Sequence, residues 1–268
     1  MSLSLKASSI RPETQRYWEL LQVLVARNLN ARYRGSFLGV YWSLFNPLIM
    51  TGLYTAIFGM AFSSYYGNSL LNYVLAAFTG LVVINFFSAS TSQALPSVVM
   101  NGGLLNKIRL PMSIFPVSMV MANVFQFAIG VLPLLAIVTL VTSRNLVNVV
   151  FLLLPLLALT LVCTGISFLV SGLFVFFRDL PYFYELIVFV VWVSSPVFYP
   201  AAIVPASIKP FLVLNPLLLV MESLRQISLS GTLPDLNLLG SALLSGVLFL
   251  MLGWVCFSKW RSQFMDLL

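Results

Sequence analysis

At Arg32-Tyr33-Arg34-Gly35-Ser36-Phe37-Leu38-Gly39-Val40-Tyr41-Trp42-Ser43-Leu44-Phe45-Asn46-Pro47 the chain changes solvent. To the left lies a polar, basic segment; to the right the sequence turns apolar and stays so. Arg32 and Arg34 are placed among lipid headgroups, and Tyr41 and Trp42 fall within reach of an interface, where amphipathic rings are enriched. The stretch therefore marks where the chain leaves the cytoplasm and orients everything after it.

The apolar excess decides the class. Of 268 residues, 60% are hydrophobic and 8% charged, against about 25% charged in soluble domains. Such a chain cannot cover a water-facing surface, so it reads as an integral membrane protein. Its apolar runs are long and do not alternate, which argues for helices and against a barrel. The net charge of +7 gathers in connectors on one side of the membrane, so no nucleic-acid partner is expected. The absence of histidine excludes His-based metal sites and His general bases, and no metal site is expected. Cys163 and Cys256 lie inside apolar runs and read as packed thiols. Near Met1 there is no apolar core of signal-peptide type.

Residues 1–34 read as a cytoplasmic segment and 35–268 as a membrane domain. From Thr14 onward, Tyr17, Leu20, Leu21, Leu24 and Val25 recur at helical spacing, with Arg16, Glu19, Gln22 and Arg27 between them. That pattern predicts an amphipathic helix along the cytoplasmic membrane surface; the alternative is a helix packed on its own protein. Six transmembrane helices follow, at about 37–62, 73–95, 114–141, 147–177, 182–197 and 236–257 by the apolar runs. Pro155 can kink the fourth, and Pro181 with Asp179 is placed to open the fifth. Eleven positive residues then fall on one side and three on the other, which puts both termini in the cytoplasm. Residues 198–235 lie outside. Their prolines cut apolar runs too short to cross, so they read as re-entrant helices in the outer leaflet. Glu222 and Arg225, three apart on one helical face, could pair there.

Catalysis finds no footing in these residues. The seven acids form no obvious pair, and no Gly-Lys-Ser/Thr loop cradles a nucleotide. The span centres hold no charged residue of the kind that ion-coupled transporters keep there. The chain is therefore not expected to be an enzyme by itself, and any uphill transport would draw its energy from another subunit. The best contact for such a subunit is connector 96–113. Asn101, Leu104, Leu105, Asn106, Lys107, Ile108 and Arg109, before Leu110-Pro111, make a short amphipathic piece. A plain topology-setting loop is the alternative. Gly35-xxx-Gly39, Ser167-xxx-Ser171, Ser241-xxx-Ser245 and Ala242-xxx-Gly246 allow close helix approach. Rings gather at Tyr41, Trp42, Phe45, Tyr54 and Phe58, and again at Trp192, Phe198, Tyr199 and Phe211. They could stack on sugars or anchor at the interface.

Several of these motifs carry a resemblance. Arg32-Tyr33-Arg34-Gly35-Ser36-Phe37-Leu38-Gly39, with Trp42 and Asn46-Pro47, resembles the start of span one in permeases of type-2 ABC exporters, closest to the polysaccharide branch. Leu105-Asn106-Lys107-Ile108-Arg109-Leu110-Pro111 resembles their connector after span two. Phe177-Arg178-Asp179-Leu180 resembles the connector before span five, and Asn215-Pro216 with Glu222 and Arg225 resembles their outer re-entrant segment. The resemblance implies a homodimer in the bacterial inner membrane, above two copies of a separate ABC ATPase that holds ATP and Mg. It implies a lipid-linked polysaccharide of O-antigen, capsule or teichoic-acid type as substrate, with no cofactor in this chain. Residues 101–111 would be the coupling helix and 14–31 the interface helix. Tyr41, Trp42, Phe45, Trp192, Phe198 and Tyr199 would line the path, with Glu222 and Arg225 as an outer gate pair. The same class of permease moving a drug, haem or another lipid, and a non-transporting scaffold, are the alternatives.

Overall fold

The computed structural model describes residues 13–105, 110–207, 212, 215–229 and 234–267, and every regular element among them is helical. Helix α1 (Glu13–Tyr33) leads through a turn into α2 (Trp42–Phe62) and α3 (Leu70–Ala94). Two single-turn helices, α4 (Ser97–Met100) and α5 (Gly102–Leu105), form the described part of the second connector. Then come α6 (Ile114–Gly130), α7 (Leu132–Ser143), α8 (Leu146–Phe151), α9 (Leu153–Phe176), α10 (Leu180–Ser194), α11 (Pro216–Leu229) and α12 (Leu236–Leu267).

Four helical runs are long and apolar enough to cross a membrane: Gly39–Tyr66, Leu70–Ala94, Leu146–Phe176 and Leu236–Phe264. The bent pair α6 and α7 makes a fifth. The expected third span is thus not straight. Its axis turns by 47° near Val131, where Pro133 in the first turn of α7 withholds the donor that would bond back across the joint. Pro155 falls in the first turn of α9, where a missing N–H leaves no carbonyl unserved. The break there is at Leu152, one turn earlier. The fifth apolar run forms only the 15 residues of α10, about 22 Å at 1.5 Å per residue against a hydrocarbon core of about 30 Å. It stops because Ser195 precedes Pro196 and is extended, with ψ 134°.

Helix α3 is the axis of the bundle, with more than half its residues buried. Around it α6, α7, α9, α11 and α12 share one apolar core that includes Val83, Ile84, Leu135, Leu159, Met221 and Leu224. Helices α9 and α12 touch backbone to backbone. A Cβ on Gly253 would lie 2.0 Å from the Gly165 carbonyl oxygen, and one on Gly165 would lie 2.2 Å from that of Phe249. Gly246, one of the expected small residues, closes in the same way on the Ala158 carbonyl. Gly35 and Gly39 do something else. Their φ values are +79° and +52°, so the spacing that resembled a helix-packing motif instead makes the turn between α1 and α2. Cys163 is buried, and both thiols are free. Helices α2 and α10 are sparsely covered: α2 buries only Pro47, Thr51 and Gly59, and α10 only Tyr184.

Candidate functional site

On the basic side, the two elements singled out in the sequence meet. Leu21 and Leu24 of α1 join Leu105 of α5 and Ile114 and Phe115 of α6 in one buried cluster, with Tyr17, Leu20, Leu104 and Leu110 packed against it. The apolar stripe of α1 is therefore spent on its own protein, while Trp18 and Val23 remain exposed on other faces of the helix. Burial raises the Tyr17 phenol above its ordinary pKa, opposed by a hydrogen bond with Ser113. Arg27 Nη1 donates to Asn101 Oδ1 at 3.1 Å, and Asn101 Nδ2 donates to the Ser97 carbonyl at 2.7 Å. Arg27 and Asn101 thus pin α1 to the joint between α4 and α5. Asn106, Lys107, Ile108 and Arg109 lie outside the described residues.

Deeper, α1, α2, α3 and α6 enclose a cavity of about 470 Å³. Arg32 does not reach outward. Its guanidinium donates to the side-chain oxygens of Gln93, Asn123 and Gln126, and Asn123 Nδ2 donates to Gln93 Oε1 at 3.0 Å. Asn46, Asn85 and Ser88 also line the cavity, and half-exposed Trp42 stands at its side. Ser88 is shared with a second recess of about 420 Å³ between α3 and α10, where Ser92 and Glu185 are found. A polar stripe on α3 thus runs between the sparsely covered helices α2 and α10. Asn46 was marked in the sequence only as part of a motif, and Asn85, Ser88, Gln93, Asn123 and Gln126 were not singled out; amides inside the apolar runs at Asn85, Gln93, Asn123 and Gln126 were the available signal.

The candidate rings divide into two groups. Tyr41, Trp42 and Phe45 lie at the start of α2 and are half exposed. At the other end of the bundle Phe198 stacks on Tyr54, centroids 3.5 Å apart, and meets Trp192 edge-on at 5.6 Å. The ladder continues through Phe58 and Phe62. Tyr199 is tied down, its hydroxyl donating to the Val193 and Ser194 carbonyls at the end of α10. Phe211 lies outside the described residues.

Arg225 is committed to backbone. Its Nε and Nη2 donate to the Ala76 carbonyl at 3.1 and 3.0 Å, and Nη2 also to those of Pro196 and Val197 at 2.6 and 3.1 Å. Glu222, one turn away, acts on it through charge, so the geometry is that of a pin between α11, α3 and the 195–197 turn. Asn215 adds to the same joint: Nδ2 donates to Ser195 Oγ at 2.8 Å, while Oδ1 accepts from the Leu217 amide. Leu217, Val220, Met221, Leu224 and Ile227 place α11 in the main core. Among the described residues no group of His, Cys, Asp or Glu is arranged to hold a metal ion.

This all-helical bundle matches known proteins along nearly its whole length. The chain is 27% identical over 263 residues to the O-antigen export system permease protein RfbA of Klebsiella pneumoniae, covering 94% of this chain and 95% of the relative. It is 28% identical over 258 residues to the protein of the same name from Myxococcus xanthus, covering 95% and 97%. Residues 19–229, which run from the pinned helix α1 through Arg225, match the family model of the ABC-2 type transporter, and the chain belongs to that family of membrane permeases.

Proposed function

We propose that this chain is the membrane-spanning subunit of an ATP-driven exporter that moves a lipid-linked polysaccharide, of O-antigen type, out of the cytoplasm across the bacterial inner membrane. The observation that carries this reading is the end-to-end similarity to two O-antigen export system permeases, which leaves no large segment of either chain unaccounted for. The site chemistry supports it. A path between α2 and α10 offers neutral amides and hydroxyls at one end and stacked rings at the other, which suits hydroxyl-rich chains with apolar ring faces. In this reading the chain crosses the membrane six times with both termini inside. Helix α10 and the 195–207 segment make the fifth crossing, and α11 belongs to a re-entrant outer segment. Residues 1–34 form the cytoplasmic segment and 35–268 the permease domain.

A second copy of the chain covers the exposed faces of α2 and α10, and the path runs between the copies. Two copies of a cytoplasmic ABC ATPase carry ATP and Mg, and this chain hydrolyses nothing. They dock on connector 101–111, and α1 receives the same movement because Arg27 and the Leu21–Leu105 cluster join the two. The test is co-expression of the tagged chain with the ATPase encoded beside it, followed by purification in detergent and an ATPase assay. A stoichiometric, active complex, and loss of surface glycan on deleting either gene, is the expected result. Replacing Lys107 and Arg109 together by Glu should weaken ATPase docking while membrane insertion is unchanged. Recovery of the chain alone across several detergents, with surface glycan intact in the deletion strain, would refute the proposal.

A further inference from the structure

We infer that Glu185 of one copy of this chain pairs with Arg34 of a second copy, so that the recess beside α10 is complete only in the dimer. The inference rests on the two-copy arrangement proposed above and names a charged contact within it. Glu185 stands about 7 Å past the start of α10 at 1.5 Å per residue. Tyr182 and Phe189, one turn to either side on the same face, are exposed, and so is Glu185. Its carboxylate makes no hydrogen bond or ion pair among the described residues. A carboxylate on this apolar face is costly against lipid. It is costly under a second copy as well, unless that copy brings a cation.

The recess has the room and the acceptors for a guanidinium. It encloses about 420 Å³, and Ser88, Ser92 and Glu185 line it beside Leu95, Pro96 and Val188. No Lys or Arg of the same chain lines it. Thr91 and Ser97, close by in sequence, return their hydroxyls to the carbonyls of Phe87 and Ala94. The hydroxyls of Ser88 and Ser92 make no such bond among the described residues. A guanidinium presents five N–H groups in a planar fork; a carboxylate takes two side by side, and hydroxyl oxygens can accept others.

Arg34 meets that demand by depth and by freedom. Within α3, Gln93 accepts from Arg32 while its neighbour Ser92 lines the recess. The end of α1 and Glu185 therefore lie at one depth. Arg34 follows Tyr33, the last residue of α1, is exposed, and makes no hydrogen bond or ion pair among the described residues. Other cations at this end are engaged: Arg27 holds Asn101, Arg32 sits in its amide cage, and Arg178 donates to the Leu267 carbonyl and covers the Phe174 ring. Lys259 and Arg261 stand on α12, which packs against α9. Arg34 instead leads into α2, one of the two helices that the second copy covers. In one chain α2 and α10 each lie against α3. A two-fold axis along the membrane normal keeps depth and sets α10 against the α2 of the other copy, so two identical pairs result. Neither helix carries any other charged side chain. Charge therefore fixes the inner end of this contact, and apolar surface covers the rest.

The test is disulfide cross-linking between two differently tagged copies of the full chain, co-expressed with the ATPase and oxidised in native membranes. One copy carries Arg34→Cys and the other Glu185→Cys. A covalent dimer bearing both tags is expected. None is expected when the Arg34→Cys copy meets the parent chain, whose thiols are Cys163 and Cys256, or when Lys259→Cys takes the place of Arg34→Cys. Co-purification of the two tags in detergent reads the charge itself. Glu185→Arg or Arg34→Glu in both copies should weaken it about tenfold or more, because like charges then face each other, and the two changes together should restore it. Wild-type association by both single variants, or a double variant no better than the worse single, would overturn the pair. So would a link through Lys259→Cys and none through Arg34→Cys. Stabilisation by added phosphatidylethanolamine that Glu185→Gln abolishes, without any link between copies, would give the recess to a lipid ammonium and overturn the arginine. The cross-link needs neither ATP hydrolysis nor a glycan. A chain that forms it but binds no ATPase fails the exporter reading alone; a dimeric, ATPase-bound chain without it fails here alone.

Discussion

Arg225→Met would remove the pin at the outer end of the bundle while keeping most of the side chain's volume. The cost can be worked out from the acceptors. The Ala76 carbonyl lies inside α3 and also accepts from Thr79 Oγ1 at 3.0 Å, so it loses little. The carbonyls of Pro196 and Val197 lie outside any helix, and their described hydrogen bonds come from Arg225 alone. Leaving each unsatisfied costs about 1–3 kcal/mol, so the variant should lose about 2–6 kcal/mol. Arg225→Lys should recover only part of this, because one compact ammonium cannot reach three acceptors in a planar fork. The effect should be local as well as global, since the 195–197 turn positions Phe198 against Tyr54 and Trp192. The assay is thermal unfolding of the purified chain in detergent, with hydrogen exchange of peptides covering 190–204. A lower midpoint and faster exchange in that window are expected. A variant as stable as the parent, with unchanged exchange there, would refute the account of α11 as held by Arg225.

Gly253→Ala should be disproportionately damaging, because its Cβ would lie 2.0 Å from the Gly165 carbonyl oxygen and must open α9 from α12 by about an ångström. The loss should reach or exceed the upper end of the ~1–3 kcal/mol usual for overpacking; Gly240→Ala, on the same helix with nothing within 4 Å, is the control in the same thermal assay and should not lower the midpoint. Trp42→Ala should reduce export while membrane abundance is unchanged, because the half-exposed ring supports little of the core; normal export would remove Trp42 from the path. Asn30→Pro, at an exposed position between Arg27 and Arg32, should kink α1 at a cost of about 3 kcal/mol. Retained ATPase co-purification with lost export is the expected outcome, and unimpaired export would mean that α1 does not link the two ends.

How much of this was legible in the sequence depended on the range of the interaction. Apolar runs announce membrane helices because each run reports on itself, so the long helices, the start of α10 at Pro181 and the amphipathic α1 follow directly. The bend near Val131 did not, because apolarity continues unbroken through Gly130 to Leu135 and masks the proline. Gly165 and Gly253 sit on different helices, so no spacing within one segment marks them, whereas Gly35 and Gly39 have the spacing and serve a turn. The two site arginines were read toward the nearest plausible partner, headgroups for Arg32 and Glu222 for Arg225. Their acceptors lie far away in the chain, at Gln93 and Gln126 for one and at Ala76 and Pro196 for the other. Backbone carbonyls carry no sequence signature at all.

One helix joins the two halves of the proposed machine. Helix α1 contains neither Gly nor Pro, so it behaves as a rod. Between Tyr17 and Arg32 it spans about 22 Å at 1.5 Å per residue. Near its start, Tyr17, Leu20 and Leu24 rest on the connector cluster; further on, Arg27 holds Asn101; near its end, Arg32 enters the cavity. A displacement of the connector that kept these contacts would carry the rod with it and change the Arg32 cage, whose three acceptors belong to α3 and α6. Gly35 and Gly39 are suited to absorb the resulting angle, since their left-handed turn separates α1 from α2 and a Cβ on either meets nothing within 4 Å. The Arg-Tyr-Arg-Gly-Ser stretch therefore combines two physical roles in adjacent residues. A fixed cation is held by amides from two other helices, and the joint beside it lets the cation's helix move without dragging the first span.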